Sequence, residues 1–88
     1  MRQDQSKASF AVIRCNFRTY SSGGVMAVIK GRSNAKMKLA YFEGAQSNED
    51  RNAGWRYFLE RTNLKPGMDP EKATKLRQTR LDVRESRS

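Results

Sequence analysis

The sequence contains no histidine, a single cysteine and only two prolines among its 88 residues. Without histidine, the chain lacks the residue used in most nucleophilic triads and the commonest ligand of transition metals. A single cysteine excludes a thiolate zinc cluster. Gly23-Gly24 is not followed by the Gly-Lys-Ser/Thr pattern of a phosphate-binding loop. The sequence therefore predicts no cofactor, no metal site and no enzymatic activity.

Two less favoured catalytic alternatives use residues that the sequence does contain. Glu43, Glu49 and Asp50 lie close together along the chain, and carboxylates of this kind hold Mg²⁺ in nucleases. However, Glu49 and Asp50 also suit the start of a helix, where acidic groups compensate the positive end of the helix dipole. Tyr20 has the hydroxyl of a DNA-attacking nucleophile, but no metal cage or histidine cluster accompanies it to activate it.

Long apolar runs are absent as well. No stretch approaches the roughly 20 apolar residues of a membrane-spanning helix, and no charged N-terminus leads into an apolar run, as a secretion signal would require. Cys15 has no partner for an internal disulfide and lies between Ile13 and Phe17, so a buried thiol is expected. We predict a protein of a reducing intracellular compartment, the cytoplasm, with no membrane partner.

Positive charge is what the chain has in excess. Eighteen lysines and arginines stand against nine acidic residues, which gives a formal net charge of +9 and an isoelectric point near 10.3. A polyanion relieves self-repulsion of this size most directly, and nucleic acid is the commonest polyanionic partner. A chain of this length forms one domain with a small core, so we also expect a homodimer.

Alternation of apolar and polar residues predicts three strands in the N-terminal half. In residues 8–20, Ala11, Ile13, Cys15 and Phe17 fall on one face, which is typical of a half-buried strand. Residues 21–24 supply a turn, and residues 25–30 form a more apolar and therefore central strand. After a second turn at residues 31–34, residues 36–42 alternate again. The pattern predicts an antiparallel meander.

Helical patterns follow in the C-terminal half. Residues 47–50 resemble a capped helix start, and one apolar helical stripe follows, made of Trp55, Phe58, Leu59 and Thr62. A second helix begins at Asp69-Pro70, because proline suits the first helical position. The apolar residues of that helix do not form one clean stripe, so we expect it to dock weakly and to fray towards its end.

The predicted fold class is therefore α+β, with a three-stranded antiparallel β-meander backed by one helix and a weakly docked C-terminal helix. Along the chain, the prediction divides a flexible N-terminus over residues 1–7, an α+β domain over residues 8–68 and a basic C-terminal helix or tail over residues 69–88.

The same alternation places cations and aromatic rings on the outer face of the predicted sheet. Phosphates are neutralised by such cations, and bases stack on such rings. The predicted nucleic-acid-binding residues of this face are Arg14, Arg18, Lys30, Arg32, Lys36, Lys38, Tyr20 and Phe42. A basic solvated face that only protects strand edges from aggregation is the simpler alternative.

The C-terminal helix carries a second predicted contact surface. Arg77, Arg80, Arg84 and Arg87 fall within about 80° of one helical face and can follow a phosphate backbone. A solvated helix face explains the same spacing without a ligand.

The leading hypothesis is a small, basic, non-enzymatic protein that binds DNA or RNA through backbone contacts. The alternative is a small modulator or inhibitor, of the kind common among phage and mobile-element products, that docks on an acidic face of a larger protein or nucleoprotein. In that case Trp55, Tyr57 and the arginines would anchor the interface, whereas Trp55 is otherwise expected in the core.

Overall fold

The structure, a computed structural model, describes residues 7–86, with side chains for residues 7–81. Its elements in chain order are β1 (Ser9–Asn16), β2 (Ser21–Lys30), α1 (Arg32–Ala45), α2 (Asn48–Asn52), β3 (Trp55–Thr62) and α3 (Pro70–Ser86). The strands form one antiparallel sheet in the order β2-β1-β3. The predicted α+β class with a three-stranded antiparallel sheet is confirmed. Of the flexible N-terminus predicted over residues 1–7, residues 1–6 lie outside the described part of the chain.

The first hairpin forms from the segments that the alternation predicts, but its turn lies earlier. β1 ends at Asn16 and β2 begins at Ser21, so residues 17–20 make the turn instead of residues 21–24. The prediction that the second strand is central is wrong. β1 is central, because β3 pairs with its other edge, from Ser9 opposite Thr62 to Asn16 opposite Trp55.

Residues 36–42 are helical, so the strand predicted there is wrong. Within α1, Ala35 is buried and Leu39 and Phe42 are half-buried, which is the i, i+4, i+7 spacing of a helix that packs one stripe on a sheet. The apparent alternation arises because lysine happens to flank Met37. The predicted turn at residues 31–34 is in fact the N-cap and first turn of this helix.

Residues 55–62 are a strand, so the helix predicted there is also wrong. The predicted cap is present, since the Ser47 side chain accepts a hydrogen bond from the Asp50 N–H. However, α2 ends at Asn52, and Gly54 has a φ of +103° that ends the helical turn. In β3, Trp55 and Leu59 fall on one face of the strand and Phe58 on the other, and the segment is a strand because it pairs with the edge of β1.

Helices cover both faces of the sheet. On one face, α3 completes the core, where Ala73 packs with Ala11, Ile13, Val25, Val28 and Leu64. On the other face lies α1, whose Phe42 ring stacks on Tyr57 of β3 at a centroid distance of 5.4 Å. The prediction of an open sheet face is therefore wrong, because α1 covers one face and α3 the other.

The C-terminal helix begins as predicted at Pro70, and its first half is held at specific points. Asp69 caps it by accepting the Lys72 N–H, and Thr74 Oγ1 accepts a hydrogen bond from the Val25 N–H at 2.9 Å. Gly24 permits this approach, because a Cβ on it would lie 2.8 Å from Thr74 Oγ1 and its φ is +91°. Docking is thus more specific than the irregular apolar pattern indicates.

Candidate nucleic-acid interface

Arg14 lies inside the structure rather than on an open face. Its guanidinium carbon is 3.9 Å from the centroid of the Trp55 ring, and its Nη2 donates to Asp50 Oδ2 at 3.3 Å. The side chain is only 24% exposed. The cation–π contact ties β1 to Trp55 of β3, and the ion pair ties β1 to α2. Arg14 is therefore a packing residue, and its predicted place on a solvated sheet face is wrong.

Lys36 and Lys38 are exposed, but they project from α1 in different directions. At about 100° per residue they lie about 160° apart around the helix, so the strand face predicted to unite them is absent. Lys38 Nζ lies 5.0 Å from the Tyr41 ring centroid. Phe42, predicted to stack on a base, instead stacks on Tyr57.

Arg77 is also engaged within the protein. Its Nε and Nη2 donate to the two carboxylate oxygens of Glu60 at 2.7 and 3.1 Å, which clamps α3 onto β3. This hydrogen-bonded pair raises the pKa of Arg77, against the opposing effect of burial. Its side chain is only 20% exposed. Arg77 therefore mainly holds α3 against β3 and offers little of its charge to a ligand.

Of the three remaining arginines predicted to bind along α3, the structure describes the side chain of Arg80. Arg80 is exposed, and its guanidinium donates to the side-chain oxygen of Asn63. Arg84 lies in α3, but its side chain is outside the described part, as is Arg87 altogether.

One end of the sheet nevertheless collects basic residues from β2, from β3 and from the segment that precedes β1. At this end Ser9 of β1 lies between two partners, Lys30 of β2 on one side and Thr62 of β3 on the other. Neighbouring strands are about 4.8 Å apart, so this row is about 10 Å across. We call this region the basic end, and its basic residues are Lys7, Lys30, Arg32, Arg61, Arg77 and Arg80.

A cleft of about 740 Å³ opens at the basic end, between β3 and α3. Four of the basic residues line it, namely Lys7, Arg61, Arg77 and Arg80. Among the described lining residues Glu60 is the one carboxylate, and it is bound to Arg77. Sequence reasoning missed Lys7 and Arg61, because it took the first for a loose terminus and the second for a helical residue.

Arg32 occupies a position that does not favour folding. It is the first residue of α1, whose N-cap Gly31 makes no side-chain hydrogen bond and whose first turn holds no acidic residue. A cation there opposes the helix dipole at a cost of about 0.3–1 kcal/mol. Arg32 thus adds charge to the basic end at the expense of helix stability.

The turn between β1 and β2, which we call the hairpin tip (residues 17–20), lies at the opposite end of the sheet. It exposes 91% of Tyr20 and 60% of Phe17, with Arg18 between them. The prediction that Phe17 faces the core is wrong, because β1 ends one residue earlier. Tyr20 has a φ of +58°, a left-handed conformation that costs a non-glycine residue about 1–2 kcal/mol.

The outward side of α1 carries a further exposed apolar surface. Met37 is 71% and Tyr41 64% exposed, and Lys36 and Lys38 flank them. Opposite this surface, Ala35, Leu39 and Phe42 face the sheet. α1 is therefore apolar on both its packed side and part of its solvent side.

Chemical groups for catalysis are not gathered in the described part of the chain. Across those residues, no group of three or more histidine, cysteine, aspartate or glutamate side chains is placed to hold a metal ion. The same residues include no helix of the length and apolar character needed to cross a membrane. Asp50 lies in the first turn of α2, where its N–H donates to the capping hydroxyl of Ser47, and its carboxylate pairs with Arg14.

Comparison with protein-family models, with curated proteins and with solved structures finds no match for this chain.

Proposed function

We propose that this protein binds nucleic acid, DNA or RNA, through phosphate contacts at the basic end and catalyses no reaction. The observation that carries the proposal is the gathering of six basic residues at this end of the sheet: one before β1, one each in β2 and β3, one at the start of α1 and two in α3. Four of them line a cleft whose one described carboxylate is already paired. Phosphate contacts fix a protein on a nucleic acid without reading its sequence. The overall charge of +9 adds a longer-range attraction of the same sign.

Packing does not explain these cations. Lys7, Lys30 and Arg32 are exposed, and Arg32 opposes the dipole of its own helix. The arginines that do stabilise the fold, Arg14 and Arg77, are half-buried and bound to carboxylates. Lys7, Lys30 and Arg32 of the basic end therefore differ from Arg14 and Arg77 in exposing their charge to solvent.

The test is fluorescence anisotropy of labelled single- and double-stranded oligonucleotides titrated with the protein at several salt concentrations. Binding through phosphates weakens linearly in log affinity against log salt, with a slope of about −0.7 per contact for single strands and −0.9 for duplexes. For the K7Q/K30Q variant we expect a slope reduced by about 1–2 units and an affinity about 10-fold lower at low salt.

The matched control is K72Q/K75Q, which removes the same two charges from exposed lysines on the first half of α3. We expect the control to lose less than about 2-fold, as for a small change in overall charge. Equal losses for both variants would show that only net charge matters. An absence of binding to any oligonucleotide at low salt would refute the proposed function.

A second candidate function rests on a different surface, the exposed apolar side of α1. Met37 and Tyr41 lie one turn apart and are flanked by lysines, an arrangement suited to a partner helix with an apolar stripe and acidic flanks. The protein would then be a modulator or inhibitor of an acidic protein, of the phage or mobile-element type. Trp55 is a poor anchor for such an interface, because Arg14 covers its ring.

This candidate predicts that M37S/Y41S loses at least about 10-fold in affinity for a synthetic acidic amphipathic helix, as hot-spot residues do. The control is Leu76→Ser, which removes an exposed leucine from α3. Unchanged binding of oligonucleotides by M37S/Y41S separates this candidate from the first.

We also propose that the protein forms a homodimer through the outer edge of β3. The edge of β2 is partly covered, since the Val28 carbonyl accepts the Gly67 N–H and Thr74 binds Val25. On β3, the Trp55 carbonyl accepts hydrogen bonds from the side chains of Gln46 and Arg56, and antiparallel pairing of residues 57–60 with a second copy would extend the sheet. Light scattering that reports a monomer at the highest soluble concentration would refute the dimer.

A reducing cytoplasmic compartment is proposed on the state of Cys15. It is free and half-buried, and a thiol of this kind behaves as a small apolar side chain. Disulfides are rare in such compartments.

A further inference from the structure

The hairpin tip is held rigidly by a buried amide. Asn16 is 5% exposed, and its Oδ1 accepts hydrogen bonds from the Arg18 and Thr19 N–H groups at 2.9 and 3.1 Å. Its Nδ2 donates to the Ala53 carbonyl at 3.1 Å. The Phe17 N–H also donates to the Gly54 carbonyl at 3.0 Å. The tip is thereby attached to the α2–β3 turn as well as to its own hairpin.

This rigid turn presents aromatic rings that contribute little to the fold. Tyr20 is almost fully exposed and occupies a left-handed backbone conformation, which glycine or asparagine adopts more readily. Phe17 is also more than half exposed. Strain at a residue whose side chain makes so little contact points to a role outside folding.

Three other aromatic rings, those of Trp55, Phe42 and Tyr57, are engaged within the fold, whereas Tyr41 is exposed on α1. Arg14 covers the Trp55 ring, and Phe42 and Tyr57 stack on each other. Arg18 is the only charged residue in the segment from Phe17 to Ser22, so the tip combines two exposed rings with one cation. Stacking platforms for the bases of single strands have this composition.

We propose that Phe17 and Tyr20 stack on unpaired bases and that Arg18 contacts the adjoining phosphate, so that the protein prefers single strands or unpaired segments to duplex. The proposal rests on the proposed function at the basic end. β1 separates the tip from that end by eight residues, or about 23 Å. Roughly 7 nucleotides at a spacing of 3.4 Å cover this length, so one strand can contact both regions.

Two ligands with equal charge test the proposal. One is a thymidine strand of about 12 nucleotides, within the usual size of a single-strand site, and the other is the same strand built from a stable abasic analogue. We expect the wild-type protein to bind the thymidine strand about 10-fold more tightly, because only that strand offers bases for stacking. With strands of about 4 nucleotides, too short to span both regions, the preference should nearly vanish.

The variant F17L/Y20N removes both rings but should still fold, because leucine remains apolar and asparagine tolerates the left-handed backbone. We expect it to bind both strands as weakly as the wild type binds the abasic strand. The control Tyr20→Phe, which keeps the ring, should retain the preference for bases. Thermal unfolding of both variants checks that the fold is intact.

The outcomes separate the two proposals. If the wild type binds both strands equally and F17L/Y20N changes nothing, the tip does not stack on bases, although phosphate binding stands. If neither strand binds at low salt, the proposed function itself fails. If tight binding appears only with duplex, the preference for unpaired bases is refuted.

Discussion

The arginines beside the middle of the sheet and the cations at its end have opposite surroundings. Arg14 on one face and Arg77 on the other each meet a carboxylate from a different element, Asp50 and Glu60. Lys30 and Arg32 at the basic end are exposed. Cations covered by a helix thus become part of the packing, whereas those at the strand ends remain accessible to a polyanion.

The largest effect on stability is expected from Arg77→Ala. It would leave the carboxylate of Glu60 unpaired between β3 and α3, so the free energy of unfolding should fall by about 2 kcal/mol. Urea denaturation followed by circular dichroism measures the change. The double variant E60A/R77A should recover part of the loss, because no unpaired carboxylate remains. If the urea midpoint of Arg77→Ala equals that of the wild type, Arg77 does not stabilise the fold and the comparison fails for this residue.

A smaller loss is expected from Arg14→Ala. Removing the contact with the Trp55 ring and the ion pair with Asp50, which is 44% exposed, should cost about 1–2 kcal/mol of unfolding free energy. Oligonucleotide affinity, measured by anisotropy under conditions where the variant is folded, should change less than about 2-fold. A large loss of affinity without a loss of stability would reverse the role assigned to Arg14.

The smallest effect, and one of opposite sign, is expected from Arg32→Glu. An acidic residue in the first turn of α1 complements the helix dipole, so the free energy of unfolding should rise by about 0.5 kcal/mol. Affinity for oligonucleotides should fall in the same variant. The control Lys38→Glu makes the same charge change beyond the first turn and should not stabilise the helix. Thermal unfolding of both variants measures the stability, and anisotropy measures the affinity. A lower stability for Arg32→Glu than for the wild type would contradict the comparison.

The sequence pattern predicted the elements that have only one plausible periodicity. Residues 9–16 hold the β-branched and aromatic residues of a strand, whose two faces are both buried, and Pro70 with Asp69 begins a helix with a recognisable cap. Residues 36–42 and 55–62 are compatible with both the strand period and the helix period. The pattern predicts a strand for the first and a helix for the second, and the structure shows the reverse. The pairing of β3 with β1, between residues about 45 positions apart along the chain, decides between them, and no local pattern contains that information.

The candidate site divides in the same way. An excess of basic residues and a non-enzymatic composition are readable from the chain, and Lys30, Arg32 and Arg80 were chosen for their charge. The sequence does not reveal that these residues lie close to Lys7 and Arg61, because that proximity requires Ser9 to lie between Lys30 and Thr62 in the sheet. Likewise, Asp50 and Glu60 come from elements far from the arginines they neutralise.

By itself the sequence determined the sign and size of the charge, the first hairpin, the start of the last helix and the absence of histidine chemistry, since these depend on composition or on neighbours along the chain. Only the tertiary structure decided which cations are enclosed and which face solvent. Enclosure depends on the helix or strand that arrives from a distant segment, and the free energy of that packing is shared between parts of the chain that no short pattern joins.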